Sequence, residues 1–199
     1  MKKIEIANIH SYTPKELEEI MNNIYLDKKR EINQFQNETR KKQSIIGQKL
    51  LMDTLKNNYH LNYKDLVITK NKYGKPYLNN NIFFNISHSN EYIVLVTSKE
   101  EIGIDIEKMR KQELKKAKFF ATKEEYDYIA KSNNQMEPFW NIYTLKEAYF
   151  KMKGTNLNNI QSISFTIEDK KVTCSDQHVE AEIHKLIPGY VIATCKYKK

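Results

Sequence analysis

The stretch IGIDIE, Ile102 to Glu107, decides the fold. Its isoleucines return at every second position, the period of a β-strand, so one face enters a core and the other carries Gly103, Asp105 and Glu107. Two acids then share one surface. Such a pair is either solvated on a half-exposed strand or contributes the hard carboxylate oxygens that a magnesium ion prefers.

A third acid follows from helical spacing. Pro138 to Lys153 reads as a helix with Ile142, Leu145, Ala148, Tyr149 and Met152 on one core stripe. Trp140, Thr144, Glu147 and Lys151 fall on the opposite side. There Glu147 and Lys151, at i and i+4, form an ordinary surface ion pair or part of a site, and an exposed indole beside them calls for something to cover. Upstream, in NISHS, Asn85, Ser87 and Ser89 share one side of an extended segment while His88 takes the other, so Ser87 and His88 make a poor nucleophile and base. The cluster is either a turn held by side-chain-to-backbone hydrogen bonds or a set of donors to phosphate oxygens.

The remaining chain supplies elements around these clusters. Ile4, Ile6 and Ile9 read as a first strand, and Thr13-Pro14-Lys15-Glu16 as a capping box with proline at the first helical position. Thr39 to Asn58 is a long amphipathic helix, Leu66 to Thr69 a strand and KYGKPYL a turn. Ile82 to Ile86 and Tyr92 to Val96 make a strand pair, and TSKEE, Thr97 to Glu101, is a seam. Beyond it the order of elements repeats, with a second capping box at Thr122.

The 199 residues are enough for a core, and 40% hydrophobic with 29% charged residues excludes disorder as the main state. Lysine and arginine exceed the acids by 33 to 25, a net charge of +8, which favours an anionic partner: nucleic acid, a phosphorylated cofactor or an acidic protein. Cys174 and Cys195 have neither disulfide-framework nor zinc spacing, which fits a reducing compartment. The opening MKKIEIANIHSYTP alternates instead of forming a signal-peptide core, and no run is long enough to span a bilayer, so the expectation is a cytoplasmic protein.

Taken in order, YGKPY (Tyr73–Tyr77), FNISHS, GIDIE, KFFATKEE (Lys118–Glu125) and TLKEAYFKMKG (Thr144–Gly154) closely resemble the 4'-phosphopantetheinyl transferases of the longer, two-halved type that serves peptide and polyketide synthetases. This resemblance implies an α+β fold, a pseudo-twofold pair of similar halves: residues 1–100 binding coenzyme A, residues 101–199 carrying metal and catalytic groups, and the active site at their interface. It implies transfer of the phosphopantetheine arm of coenzyme A to a serine of an apo acyl or peptidyl carrier protein, releasing 3',5'-ADP, with magnesium as cofactor. The expected protein is a monomer with no nucleic-acid or membrane partner.

Carried over by position, Asp105, Glu107 and Glu147 match the metal-binding acids. Lys28, Ser44, Lys75, Ser87, His88, Lys146 and Lys151 match coenzyme A contacts, with His88 at the 3'-phosphate. DKKRE (Asp27–Glu31) aligns one residue either way, leaving Lys28, Lys29 and Arg30 open for that phosphate. Glu147, directly or through water, is the expected base for the serine proton, and Lys151 the group that stabilises the departing phosphate, with Asp105 counted among the catalytic residues. Tyr143 stands where the family commonly has tryptophan, and Asn156 where it has a second glycine. Phe119 and Phe120 read as core aromatics or as a carrier-docking pair. Two other readings remain: a basic nucleic-acid-binding module, against which stand the lack of a helix-turn-helix, RNP-like or zinc pattern and the clustered acids that would repel phosphates, and a non-catalytic coenzyme A-binding protein, against which stand the intact metal and acid positions.

Overall fold

The computed structural model describes residues 3–198; Met1, Lys2 and Lys199, the outer ends of the two expected halves, lie outside them. Strand β1 (Lys3–Asn8) leads into α1 (Pro14–Asn23), where Thr13 and Glu16 cap each other as the sequence predicts. Two helices follow, α2 (Leu26–Asn33) and α3 (Glu38–Tyr59). A two-stranded ribbon, β2 (Ile68–Lys70) and β3 (Pro76–Leu78), turns at Gly74, whose φ of 87° lies in the left-handed region. A hairpin of β4 (Phe83–Ser89) and β5 (Tyr92–Ser98) then completes a sheet of order β1-β5-β4, antiparallel throughout.

The chain crosses at once into β6 (Ile102–Lys108) and repeats the plan. Helices α4 (Lys123–Lys131) and α5 (Met136–Lys153) come next, then a ribbon of β7 (Phe165–Glu168) and β8 (Lys171–Cys174). The hairpin of β9 (Val179–His184) and β10 (Tyr190–Tyr197) closes a second sheet of order β6-β10-β9. First strand, helices, ribbon and hairpin thus occur twice, each time with the last strand in the middle of its sheet. The fold is α+β, two similar halves.

Each half buries its own core. Ile45 and Ile46 of α3 pack with Ile20, Ile32 and Ile93, while Leu51 and Leu55 meet Phe84 and Leu95. In the second half, Leu145, Ala148 and Met152 of α5 lie against Ala193 and Cys195. A separate cluster joins the halves: Val94 and Val96 of β5 pack with Ile102, Ile104, Ile106 and Ile192, all fully buried. At about 1.5–3 kcal/mol for each such side chain, as an upper estimate, the seam is a core in its own right.

Four local readings are corrected. NISHS is strand and not turn, because Asn85, Ser87 and Ser89 find partners on β6 instead of in their own backbone. KYGKPYL is a turn only in its first part, since its end pairs as β3. Thr97 and Ser98 belong to β5, which leaves Lys99–Glu101 as the link between halves. Trp140 and Thr144 are buried, and α5 is enclosed on nearly all sides: Trp140 donates its indole N–H to the Arg110 carbonyl at 2.8 Å and stacks edge-on with Phe139 and Tyr143. The indole covers the core and not a ligand.

Candidate active site at the seam between the halves

Gly103 sets the site. A Cβ there would stand 2.1 Å from the Ala148 carbonyl oxygen and 2.4 Å from the Met152 amide, so α5 rests directly on the β6 backbone. That close approach brings Glu147 and Lys151 to the strand face bearing Asp105 and Glu107. Lys151 bonds Asp105 Oδ1 at 2.5 Å and the Ser87 hydroxyl at 2.9 Å, so its partner is the strand acid and not Glu147. Ser87 also donates to Asp105 at 2.7 Å, and Ser89 donates to Glu107 at 3.1 Å.

Strands β4 and β6, each an edge of its own sheet, meet here through side chains. Asn85 accepts from the Ile104 amide at 2.9 Å and Ser89 from the Lys108 amide at 3.1 Å, taking the place of ladder bonds. The alternation expected in NISHS is therefore real, and it aims the small polar residues at the second half. His88 points the other way.

Crowded carboxylates perturb one another. Burial first, then the Asp105 charge, pushes Glu107 up to about 7, with Ser89 and Lys151 pulling back. Burial and Asp105 likewise raise Glu147, against Lys151 and a 2.8 Å hydrogen bond from the Tyr143 hydroxyl. Burial opposes the Lys151 charge, yet Asp105, Glu147 and Glu107 together hold it above the ordinary lysine range. Asp105, 2% exposed, keeps its Oδ2 buried without a hydrogen-bond partner. Three acids in mutual repulsion around an orphaned carboxylate oxygen fit a divalent cation, although no ready-made cluster of three metal-ligating side chains occurs among the described residues.

On the other side of β4 lies a cleft of about 250 Å³. Lys28, Ser44 and His88 line it, together with Asn85 and Gly74. Of the three basic candidates on α2 only Lys28 faces it; Lys29 turns to the Asn22 carbonyl and Arg30 to Asp27. Burial, then the charges of Arg40 and Lys151, drives His88 down to about 4, which makes the imidazole neutral at pH 7. Arg40, Lys70 and Glu31 also line the cleft. Sequence reading missed Arg40 and Lys70, whose only sequence-level sign was membership in an exposed basic excess. A larger groove of about 950 Å³, between α1 and the end of α3, contains none of the predicted site residues.

Of the predicted contacts, Ser87 and Lys151 stand at the seam with Asp105, and two others reach neither the seam acids nor the cleft. Lys146 is fully buried and bonded to Glu125 at 2.8 Å and to the carbonyls of Ile160 and Ile163, so its three donors are used inside the second half. Lys75 is buried with its ammonium on the Met152 carbonyl, and Asn71 donates to the Gly154 carbonyl at 2.7 Å. The β2-β3 ribbon thereby caps the C-terminus of α5, where Gly154 turns left-handed at φ 63°. Phe120 packs into the aromatic cluster while its neighbour Phe119 is 81% exposed.

A two-halved α+β fold with acids and a lysine converging at the seam, beside a cleft whose charged lining is mostly basic, is an arrangement suited to a phosphate-bearing ligand. The comparisons narrow it. The profile of the 4'-phosphopantetheinyl transferase superfamily matches residues 101–195, and that of the 4'-phosphopantetheinyl transferase N-terminal region matches residues 11–100. The 4'-phosphopantetheinyl transferase Sfp of Bacillus subtilis (strain 168) is 30% identical over 190 residues, 90% of this chain and 85% of that protein. The 4'-phosphopantetheinyl transferase gsp of Aneurinibacillus migulanus is 34% identical over 116 residues, 57% of this chain and 49% of that one. The chain belongs to the 4'-phosphopantetheinyl transferase family. Among its described residues no helix is long and apolar enough to cross a membrane.

Proposed function

We propose that this chain transfers the 4'-phosphopantetheine arm of coenzyme A to a serine hydroxyl of an apo carrier protein, of the kind found in peptide or polyketide synthetases, and releases 3',5'-ADP. The observation that supports it most is the meeting of Asp105, Glu107, Glu147 and Lys151 beside the cleft of Lys28, Ser44 and His88. Asp105, Glu107 and Glu147 would hold the magnesium, which when bound neutralises diphosphate charge and polarises the reacting phosphorus.

The chain's own groups carry the rest. Lys28, Ser44 and His88 bind the nucleotide end, and Ser87 keeps Asp105 and Lys151 in register. Glu147, raised by burial and by Asp105, takes the serine proton as the serine oxygen bonds to phosphorus. The pyrophosphate P–O bond breaks, and Lys151 stabilises the phosphate of 3',5'-ADP as it departs. Lys146 and Lys75 serve the frame: one fixes α5 within its half, the other caps it from across the seam.

Mass spectrometry of apo carrier proteins incubated with the protein, coenzyme A and magnesium tests the reaction. The expected product carries the phosphopantetheine mass on a serine. Unmodified carriers, with coenzyme A intact, would refute the proposal.

A further inference from the structure

Glu31 is the acid in a cleft whose other charged lining residues, Lys28, Arg40 and Lys70, are cations. Its two oxygens are divided between two lysines: Oε1 takes Lys28 at 2.6 Å and Oε2 takes Lys70 at 2.5 Å. Lys28 lies on the same helix, but Lys70 comes from β2, so this is no ordinary pair along one helix face. The Lys28 side chain is only 15% exposed, turned inward with its ammonium on the carboxylate. Arg40, at the start of α3, interacts electrostatically with both Glu31 and His88. Every charged or titratable group that faces this place from α2, α3, β2 and β4 is thus cationic or a proton acceptor, save one. An anion with oxygens spread like those of a carboxylate is what such a set coordinates.

We propose that Glu31 is a specificity-determining residue: in the ligand-free protein it occupies the lysines that receive the ribose phosphate of the cofactor, and so limits the preference for coenzyme A over its 3'-dephospho form. The inference rests on the transferase reading and deepens it. A phosphate dianion offers more charge than one carboxylate and can draw Lys28 and Lys70 away. Glu31 then remains beside it as a like charge, weakening the phosphorylated ligand and leaving the dephosphorylated one largely untouched.

Calorimetric titration of wild type and Glu31→Gln with coenzyme A and with 3'-dephospho-coenzyme A tests this. The glutamine variant should bind coenzyme A about tenfold tighter and change by less than about twofold for the dephospho form. Its coenzyme A affinity should also fall more steeply with added salt. Glu31→Asp, which keeps the charge, should retain the wild-type preference, and melting curves without ligand confirm that both variants fold. Equal shifts for the two ligands, or weaker coenzyme A binding in the glutamine variant, would overturn the role of Glu31 alone. Failure of the wild type to bind either ligand would overturn the transferase reading and this inference together.

Discussion

Glu147 and His88 concentrate the chemistry that single residues can be asked to reveal. Replacing Glu147 by Gln removes the proposed base and one of the acids around the proposed cation, and turnover at saturating magnesium and coenzyme A should fall by about 10²–10⁴. Near-normal steady-state turnover would withdraw the assignment. His88 protonates near 4 in the folded chain because partial burial and the charges of Arg40 and Lys151 oppose its protonation, against about 6.5 when unfolded. Below pH 6.5 the unfolded chain therefore takes up a proton that the folded one refuses. Its contribution to stability is complete above that pH and is lost as pH falls toward 4. Glu107, raised to about 7, works in the opposite sense over the same range, so the His88 part is read as a difference: between pH 7 and 5 the wild type should lose about 2 kcal/mol relative to His88→Gln, measured from urea midpoints.

The contact of α5 with β6 is the decisive one among the elements. Gly103→Ala drives a methyl group into the Ala148 carbonyl, a backbone atom that cannot step aside, and should cost about 1–3 kcal/mol or more in chemical denaturation while displacing Glu147 from Asp105. The same helix is tied to α4 by Lys146 and Glu125, 0% and 2% exposed. Lys146→Met leaves that carboxylate buried and unpaired and should destabilise by about 3–5 kcal/mol, with Glu125→Gln in addition recovering part of the loss. Both effects were invisible to helical periodicity. Spacing identified the stripe of Ile142, Leu145, Ala148 and Met152 correctly because one sheet lies against it. Trp140 and Thr144 depart from that spacing because periodicity assumes one buried face, and α5 has neighbours nearly all round. The partner of Lys146 is the glutamate of a capping box on another helix, so no local pattern could announce it.

As a whole molecule, the chain repeats its strand order and shares a third core between the copies. Because Val94, Val96, Ile102, Ile104, Ile106 and Ile192 leave water only when both halves are present, the protein should unfold in one transition, with calorimetric and van't Hoff enthalpies in agreement. Two separated peaks would show the seam to be weaker than its burial indicates. This organisation was largely legible: alternation in IGIDIE, two capping boxes and the recurrence of element order pointed to paired halves. What alternation could not convey is the way the sheets meet, since Asn85, Ser87 and Ser89 read equally well as a turn until β6 supplies their partners.

That meeting of β4 and β6 has a mechanical consequence. A join made of asparagine and serine side chains, with no continuous backbone ladder across it, can shear by rotamer exchange while every hydrogen bond within either sheet survives. Such a joint would let the crevice adjust its width around a bound ligand with both sheets intact. Because Ser87 and Ser89 are also bonded to Asp105 and Glu107, any such shift would be passed on to the acids at the seam.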